Sequence, residues 1–212
     1  MLENIKVLHH SCVRIEGSKV LYFDPYELTV QPKDGDIVFS THNHFDHFVP
    51  EDIAKVAKAD AILVQPKHDF EEGEKIGYTG SKHVCLDPGE STVVEGIKVT
   101  AVAAHTPGHP EFHPKENNWV GFIVEMDGTR YYVTGDTYDV PEVRACKGMA
   151  DVVIIPVGGK FTFTAKEAAE VTNFLEPKAA VPAHYGAIIG SDEDAEAFIN
   201  ALDPSIKGGK CR

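Results

Sequence analysis

Three imidazoles and one carboxylate fall within six positions of the chain, in His42-Asn43-His44-Phe45-Asp46-His47. Neutral imidazole offers a nitrogen lone pair and carboxylate an oxygen. Such a donor set suits divalent cations, zinc first, with manganese or iron as alternatives. Residues two apart on an extended segment point the same way, so His42 and His44 can face one ion. Asp46 and His47 come next, on the turn into the following element, where they can face a second. A polar loop that happens to be histidine-rich is the bland alternative, but four ligand-type residues at this spacing rarely arise by accident.

One segment cannot complete a catalytic site, and three later places offer further donors. Ala103-Ala104-His105-Thr106-Pro107-Gly108-His109 closes an apolar strand. His105 is the first choice of ligand because it sits at the strand end. His109 competes with it, and His113, in Phe112-His113-Pro114-Lys115, is a third candidate and a candidate catalytic or substrate-contacting group. Gly135-Asp136 ends the strand that begins at Tyr131. Glycine lets backbone pass close to an ion, and the carboxylate could bridge two cations. In isolation an aspartate there is as readily a turn or cap residue. His184, in Val181-Pro182-Ala183-His184, ends the last strand and repeats the strand-end placement of the other two.

The elements that must carry these groups can be read from patterning. Asp36 to Ser40 is a short buried strand delivering the chain to the histidine cluster. Pro50 with Glu51 and Asp52 opens a helix, expected to reach about Ala59, and Ala61 to Val64 is the next strand. β-type segments follow at Val84–Leu86, Ser91–Glu95 and Ile97–Ala104. Trp119–Met126 and Thr129–Thr134 flank the hairpin signal Asp127-Gly128. Asp151–Val157 is a nearly all-apolar strand. Thr164-Ala-Lys-Glu167 is a capping box opening a helix to Leu175, Ala179–Ala183 is a strand, and Ser191 caps a last helix to about Leu202. The Gly- and Lys-rich tail, Lys207 to Arg212, is expected to fray. Each half runs strands first, then strand-helix-strand, which suits two sheets packed face to face with helices outside.

The totals bound the rest. At 212 residues the chain fits one domain, 1–212, with a full core. Lys and Arg number 20 against 33 Asp and Glu, a net charge of −13, so a nucleic-acid partner, whose binding depends on phosphate neutralisation, is disfavoured. Four scattered cysteines, Cys12, Cys85, Cys146 and Cys211, read as reduced thiols. The opening MLENIKVLHH lacks the apolar run of a signal peptide, and no stretch reaches the roughly 20 apolar residues of a membrane helix. The expected setting is cytoplasmic, without membrane contact; a homo-oligomer is left open.

Together the five places resemble the metallo-β-lactamase superfamily. Its H-x-H-x-D-H motif is met by His42 to His47, its later histidine by His105 or a neighbour, its Gly-Asp by Gly135-Asp136 and its last histidine by His184. An early aspartate, often structural in the family, matches Asp24. The chain looks most like the branch that includes L-ascorbate-6-phosphate lactonase, through His10-Ser11, Asp24-Pro25, Phe112-His-Pro-Lys115, Gly135-Asp-Thr137, Pro156-Val-Gly-Gly159 and Pro182-Ala-His-Tyr-Gly186. Members of that branch often carry a non-histidine residue near His105 while keeping Phe-His-Pro-Lys, which leaves the choice between His105 and His113 open. Thr-Pro-Gly-His109 resembles thioesterase-type members such as glyoxalase II.

The resemblance implies an α/β fold, a four-layer αβ/βα sandwich of two mixed sheets with helices on the outer faces. It also implies a binuclear site that holds two divalent ions through His42, His44, Asp46, His47, His105, Asp136 and His184. The function it implies is hydrolysis of a small, anionic ester, lactone or phosphoester by metal-bound hydroxide, with Asp46 orienting the hydroxide or acting as general acid/base. His10, His113 and Lys160 are candidates to contact substrate anionic groups. Competing readings are a phosphodiesterase or nuclease of the tRNA 3′-processing type, which would need a basic exosite, and a non-hydrolytic redox protein like the flavo-diiron proteins, which replace the second motif histidine with a carboxylate. A metal-binding scaffold without turnover is a last alternative.

Overall fold

A computed structural model describes residues 1–212. Six strands form the first sheet in sequential order: β1 (Ile5–His9), β2 (Cys12–Glu16), β3 (Val20–Phe23), β4 (Gly35–Phe39), β5 (Ala57–Pro66) and β6 (His83–Leu86). The first three pair antiparallel and the rest parallel, with Phe23 beside Phe39 and Phe39 beside Val64. Helix α1 (Pro50–Val56) links β4 to β5, and the short α2 (Phe70–Lys75) links β5 to β6.

The second sheet has seven strands: β7 (Ser91–Val94), β8 (Ile97–Ala103), β9 (Val120–Met126), β10 (Thr129–Val133), β11 (Val152–Pro156), β12 (Ala179–Ala183) and β13 (Lys207–Gly208). It is antiparallel from β7 to β10 and parallel from β10 to β13. Three helices cover it: α3 (Pro141–Arg144), α4 (Ala165–Leu175) and α5 (Asp192–Asn200). The expected capping boxes are present at Thr164, with Glu167, and at Ser191, with Asp194.

The two sheets pack face to face over a core of 25 buried residues. Phe23 stacks on Phe39 at 4.4 Å, and Phe39 meets Phe122 of the opposite sheet at 5.2 Å; such pairs add about 0.5–1.5 kcal/mol each beyond burial. β11 is buried throughout because it is covered on both faces. Val152 and Ile154 enter the inter-sheet core, whereas Val153 and Ile155 meet the helical layer. On the outer face of the first sheet, Ile53 and Val56 of α1 pack on Tyr22, Val38 and Leu63. The expected four-layer sandwich is therefore the observed fold.

One local boundary shifts within its expected margin and one expectation fails, each for a physical reason. α1 stops at Val56 rather than near Ala59, because Ala57 already pairs with Gly35 and the chain becomes strand at once. The tail does not fray. Lys207 and Gly208 add to β12 as an edge strand, and the Cys211 carbonyl accepts from the Val7 N–H at 2.8 Å. Arg212 lies over the Tyr185 ring and pairs with Asp192 at 2.8 Å. The four cysteines are free, and no helix is long and apolar enough to cross a membrane.

Candidate metal centre

Every expected ligand lies just past a strand end. His10 follows β1, Asp24 follows β3, the segment 42–47 follows β4, the 105–113 segment follows β8, Asp136 follows β10 and His184 follows β12. The carboxyl ends of strands in such sheets leave a crevice where side chains from different segments converge. Several of these residues bend sharply there. His10, Asp24 and His184 have φ of 49°, 45° and 56°, in the left-handed region that non-glycine residues seldom occupy, and strain of this kind gathers at functional sites. Gly135 has φ of 65°, and a Cβ on it would crowd Thr41 and the Val120 carbonyl at 3.1 Å. Glycine is thus required for β10 to hand Asp136 to the cluster.

The 42–47 loop is held from below. The Thr41 N–H and hydroxyl both donate to Asp24, each at 2.8 Å, and Asp24 also accepts from His47 Nδ1 at 2.8 Å. Thr41 Oγ1 lies 3.0 Å from His42 Nδ1, and Ser40 Oγ donates to the carbonyls of His42 and, more weakly, His47. With their Nδ1 atoms engaged, His42 and His47 present Nε2 to the cluster. A carboxylate behind a histidine in this way fixes its tautomer and raises its basicity as a ligand.

Three groups of donor atoms result, each with atoms within 4.8 Å of one another: His42, His44 and His113; His42, His47 and Asp136; His10, Asp46 and His184. Asp136 sits between them. Its Oδ2 is 3.4 Å from His47 Nε2, 3.4 Å from His113 Nε2 and 3.2 Å from His184 Nε2. Asp46 Oδ2 lies 3.6 Å from His47 Nε2 and 3.7 Å from His184 Nε2.

His105, the first choice from sequence, is not among them; His113 is. The strand is released at Ala103, and the following loop folds on itself. The Thr106 N–H donates to the His113 carbonyl, the His113 N–H donates to that of His109, and Thr106 Oγ1 meets His113 Nδ1 at 3.2 Å. That closure turns His113 inward. His105 instead places Nε2 3.5 Å from Glu142 and lines a separate cleft with Lys115 and Trp119. His109 is half-exposed beside Glu111. His10, a candidate for substrate contact or for plain packing, is 1% exposed and shares a donor group with Asp46 and His184, its Nε2 3.4 Å from Asp46, so it supports Asp46. Lys160 is exposed and lies over the Phe161 ring.

The donor set fits a divalent cation. His47 Nε2, His113 Nε2 and both ring nitrogens of His184 are buried without hydrogen-bond partners. Each such atom forfeits on the order of 1–3 kcal/mol of hydration, which a bound cation returns. Charge gives the same answer. Burial drives His42 well below the usual imidazole range and, with neighbouring histidines, takes His44 down to about 4. Burial opposes charge on His47 and His184 too, but Asp136 and the other carboxylates outweigh it. They lift His47 well above its ordinary value and His184 to about 9. Burial likewise opposes ionisation of Asp46 and Asp136, yet the adjacent imidazoles hold both well below the carboxylate range. Two buried, ionised carboxylates that draw protons onto His47 and His184 make a site that calls for positive charge, which a divalent cation would supply in place of those protons.

Two residues position the ligand loop: Trp119, which the sequence offered only within the resemblance as Trp119-Val-Gly121, and Asp69, which it did not mark. Trp119, the single tryptophan, packs edge-on against His44 at 4.8 Å and tilted against His42 at 4.9 Å. Its indole N–H donates to Asp69 Oδ1 at 3.2 Å. Asp69 is 2% exposed, and its Oδ2 has no partner. Burial pushes its carboxyl up to about 7, although the Trp119 indole and the Asn43 N–H pull the other way. A raised folded-state pKa destabilises the protein as pH climbs from the unfolded value, 3.8, through 7. Asp69→Asn keeps an acceptor for the indole and removes the charge. It is expected to raise the melting temperature at pH 8 and to change it little near pH 4, as thermal unfolding at the two pH values will show.

Known proteins share this sequence pattern and fold. A family model for the beta-lactamase superfamily domain matches residues 4–184. A UPF0173 metal-dependent hydrolase of Pyrococcus abyssi is 33% identical over 216 residues, covering 96% of this chain and 93% of its own. A solved structure from Parabacteroides distasonis superposes with a TM-score of 0.77 at 26% identity, covering 98% of this chain and 93% of the other. Igni18 of Ignicoccus hospitalis, described as a novel metallo hydrolase, gives 0.78 at 20% identity over 97% and 93% of the two chains, a likeness of fold. The chain belongs to the metallo-β-lactamase superfamily, among the UPF0173 metal-dependent hydrolases.

Proposed function

We propose that this protein is a binuclear hydrolase of small esters, lactones or phosphoesters, with zinc as the first choice of metal and manganese or iron as alternatives. In this reading His42, His44 and His113 hold one ion, Asp46, His47 and His184 hold the other, and Asp136 is shared. The observation that carries it is the position of Asp136 Oδ2, within 3.2–3.4 Å of imidazoles from both groups. His105, offered from sequence as a ligand, has no part here.

Bound divalent cations would supply Lewis-acid polarisation of the attacked bond and bring water to a pKa of roughly 7. The remaining work falls to the chain. Asp46, ionised and flanked by His10, orients the attacking water. Asp24 and Thr41 keep the imidazoles of His47 and His42 aimed, so little reorganisation is needed during reaction. Trp119 shields one flank of the His42–His44 pair from water.

A polymer substrate is less favoured, since the opening over the cluster has no Lys or Arg in its lining and the chain carries −13 overall. The flavo-diiron type of redox chemistry is less favoured because position 44 is histidine. Elemental analysis, with a substrate screen before and after chelation, tests the proposal. About two equivalents of metal and chelator-sensitive turnover of an ester, lactone or phosphoester are expected. One equivalent at full activity removes the binuclear reading; no turnover after metal is restored removes the hydrolase.

A further inference from the structure

The opening above the cluster has a character that its polar floor does not share. His44, Asp46, His113, Asp136 and His184 form one side of a cavity of about 440 Å³, and Phe45, Phe112, Phe161, Ile188 and Ile189 form the other. That volume lies within the range of small-molecule pockets, roughly 300–1,000 Å³. Phe45 is 70% exposed, Ile188 46% and Phe112 44%; of the nine large apolar side chains exposed on the whole molecule, three ring this opening. Phe112 and Phe161 meet at 4.9 Å, so part of the rim is a packed aromatic wall.

These side chains come from separate segments, inside the ligand loop, after β8, after β11 and after β12. Nothing in the hydrophobic core requires them to converge. Leaving apolar area in water costs about 25 cal/mol per Å², and contiguous exposed patches of this kind mark binding sites. Away from the metal-facing floor, no Arg or Lys lines this cavity to pair with an anionic group. The nearby Lys160 holds its ammonium 4.7 Å over the Phe161 ring.

We propose that this rim is a subsite for an apolar group, a medium-length acyl chain or aryl ring, and that the substrate is an uncharged ester or lactone carrying it. The scissile bond rests on the hydrolase reading above; the subsite rests on the rim. In the reaction water adds its oxygen to the acyl carbon, the C–O bond to the alcohol breaks, and a proton from water ends on the departing alkoxide. The apolar rim favours a substrate whose remote half is neutral and apolar, where the sequence reading expected an anionic one.

The zinc-loaded protein should be titrated calorimetrically with straight-chain carboxylates from acetate to octanoate, the products of such esters. Affinity should rise about two- to four-fold per methylene until the cavity is filled. Phe112→Ala and Ile188→Ser, both at exposed positions, should each flatten the series without changing zinc content. The p-nitrophenyl esters of the same acids should follow the same order in kcat/KM. A flat affinity series overturns the subsite even if esters are hydrolysed. A rising series that the variants leave intact overturns its placement at this rim. A rising, variant-sensitive series without chelator-sensitive turnover keeps the subsite and removes the hydrolase reading instead.

Discussion

Asp136→Ala should abolish metal retention and lower kcat/KM by about a thousand-fold or more, while far-ultraviolet circular dichroism stays native. The carboxylate is the one group within 3.2–3.4 Å of imidazoles in both ligand sets, so its loss weakens both positions at once. A thousand-fold corresponds to about 4 kcal/mol, of the order lost when one partner leaves a buried charge pair, about 3–5 kcal/mol. The fold should persist, because Asp136 lies beyond the end of β10, outside the hydrophobic clusters. Asp136→Asn, which keeps shape and removes charge, should retain less than the full metal content. His105→Ala is the matched control: metal content and turnover should stay within about two-fold of the parent, since the side chain faces Glu142. Retention of two metals and full turnover by Asp136→Ala would refute the shared-carboxylate arrangement.

How much of this could be read in advance depended on how local each determinant is. The 42–47 loop announces itself because its four donors fall within six positions, whereas Asp136 and His184 are weak signals alone and gain weight only because their strand-end placement repeats. The choice between His105 and His113 is of another kind. It depends on a loop that closes through Thr106 and His113, and strand alternation ends before that loop begins. Asp69 and Trp119 meet across 50 positions of sequence, and the apolar rim is gathered from four segments; neither leaves a periodic trace. α2 and α3, at six and four residues, are too short for helical periodicity to register. The tail reads as disordered from its glycines and lysines, yet an open strand edge at β12 gives its backbone partners. Composition described the tail's own preference; the edge beside it decided its structure.

The metal-free protein should be most stable near pH 6.5 and lose stability on either side, whereas the metal-loaded protein should be far less sensitive above that pH. The sign follows from two opposed shifts. His184 is raised from 6.5 to about 9 despite its burial, by Asp136 and Asp46. A group raised on folding contributes stability that is complete below the unfolded value and lost as pH climbs through the folded one, here from about 6.5 to about 9. His44 is lowered to about 4 by burial and by nearby histidines. Below pH 6.5 the unfolded chain takes up that proton more readily than the native protein, as it does at His42 and His10, so stability falls between about 6.5 and 4, with Asp69 offsetting part of the fall. Each limb should amount to on the order of a few kcal/mol. In the absence of metal, protons on His47 and His184 offset the carboxylates of Asp46 and Asp136; a divalent cation must displace those protons to bind. Zinc uptake at pH 7.5 should therefore release protons, giving an apparent binding enthalpy that varies with the ionisation enthalpy of the buffer. Melting temperatures across pH 4–10, with and without chelator, test the same linkage. A metal-free protein equally stable at pH 6.5 and 9, with no buffer dependence of zinc binding, would mean that His184 does not hold its proton against Asp136. The charge argument for a cation at this site would then fail along with it.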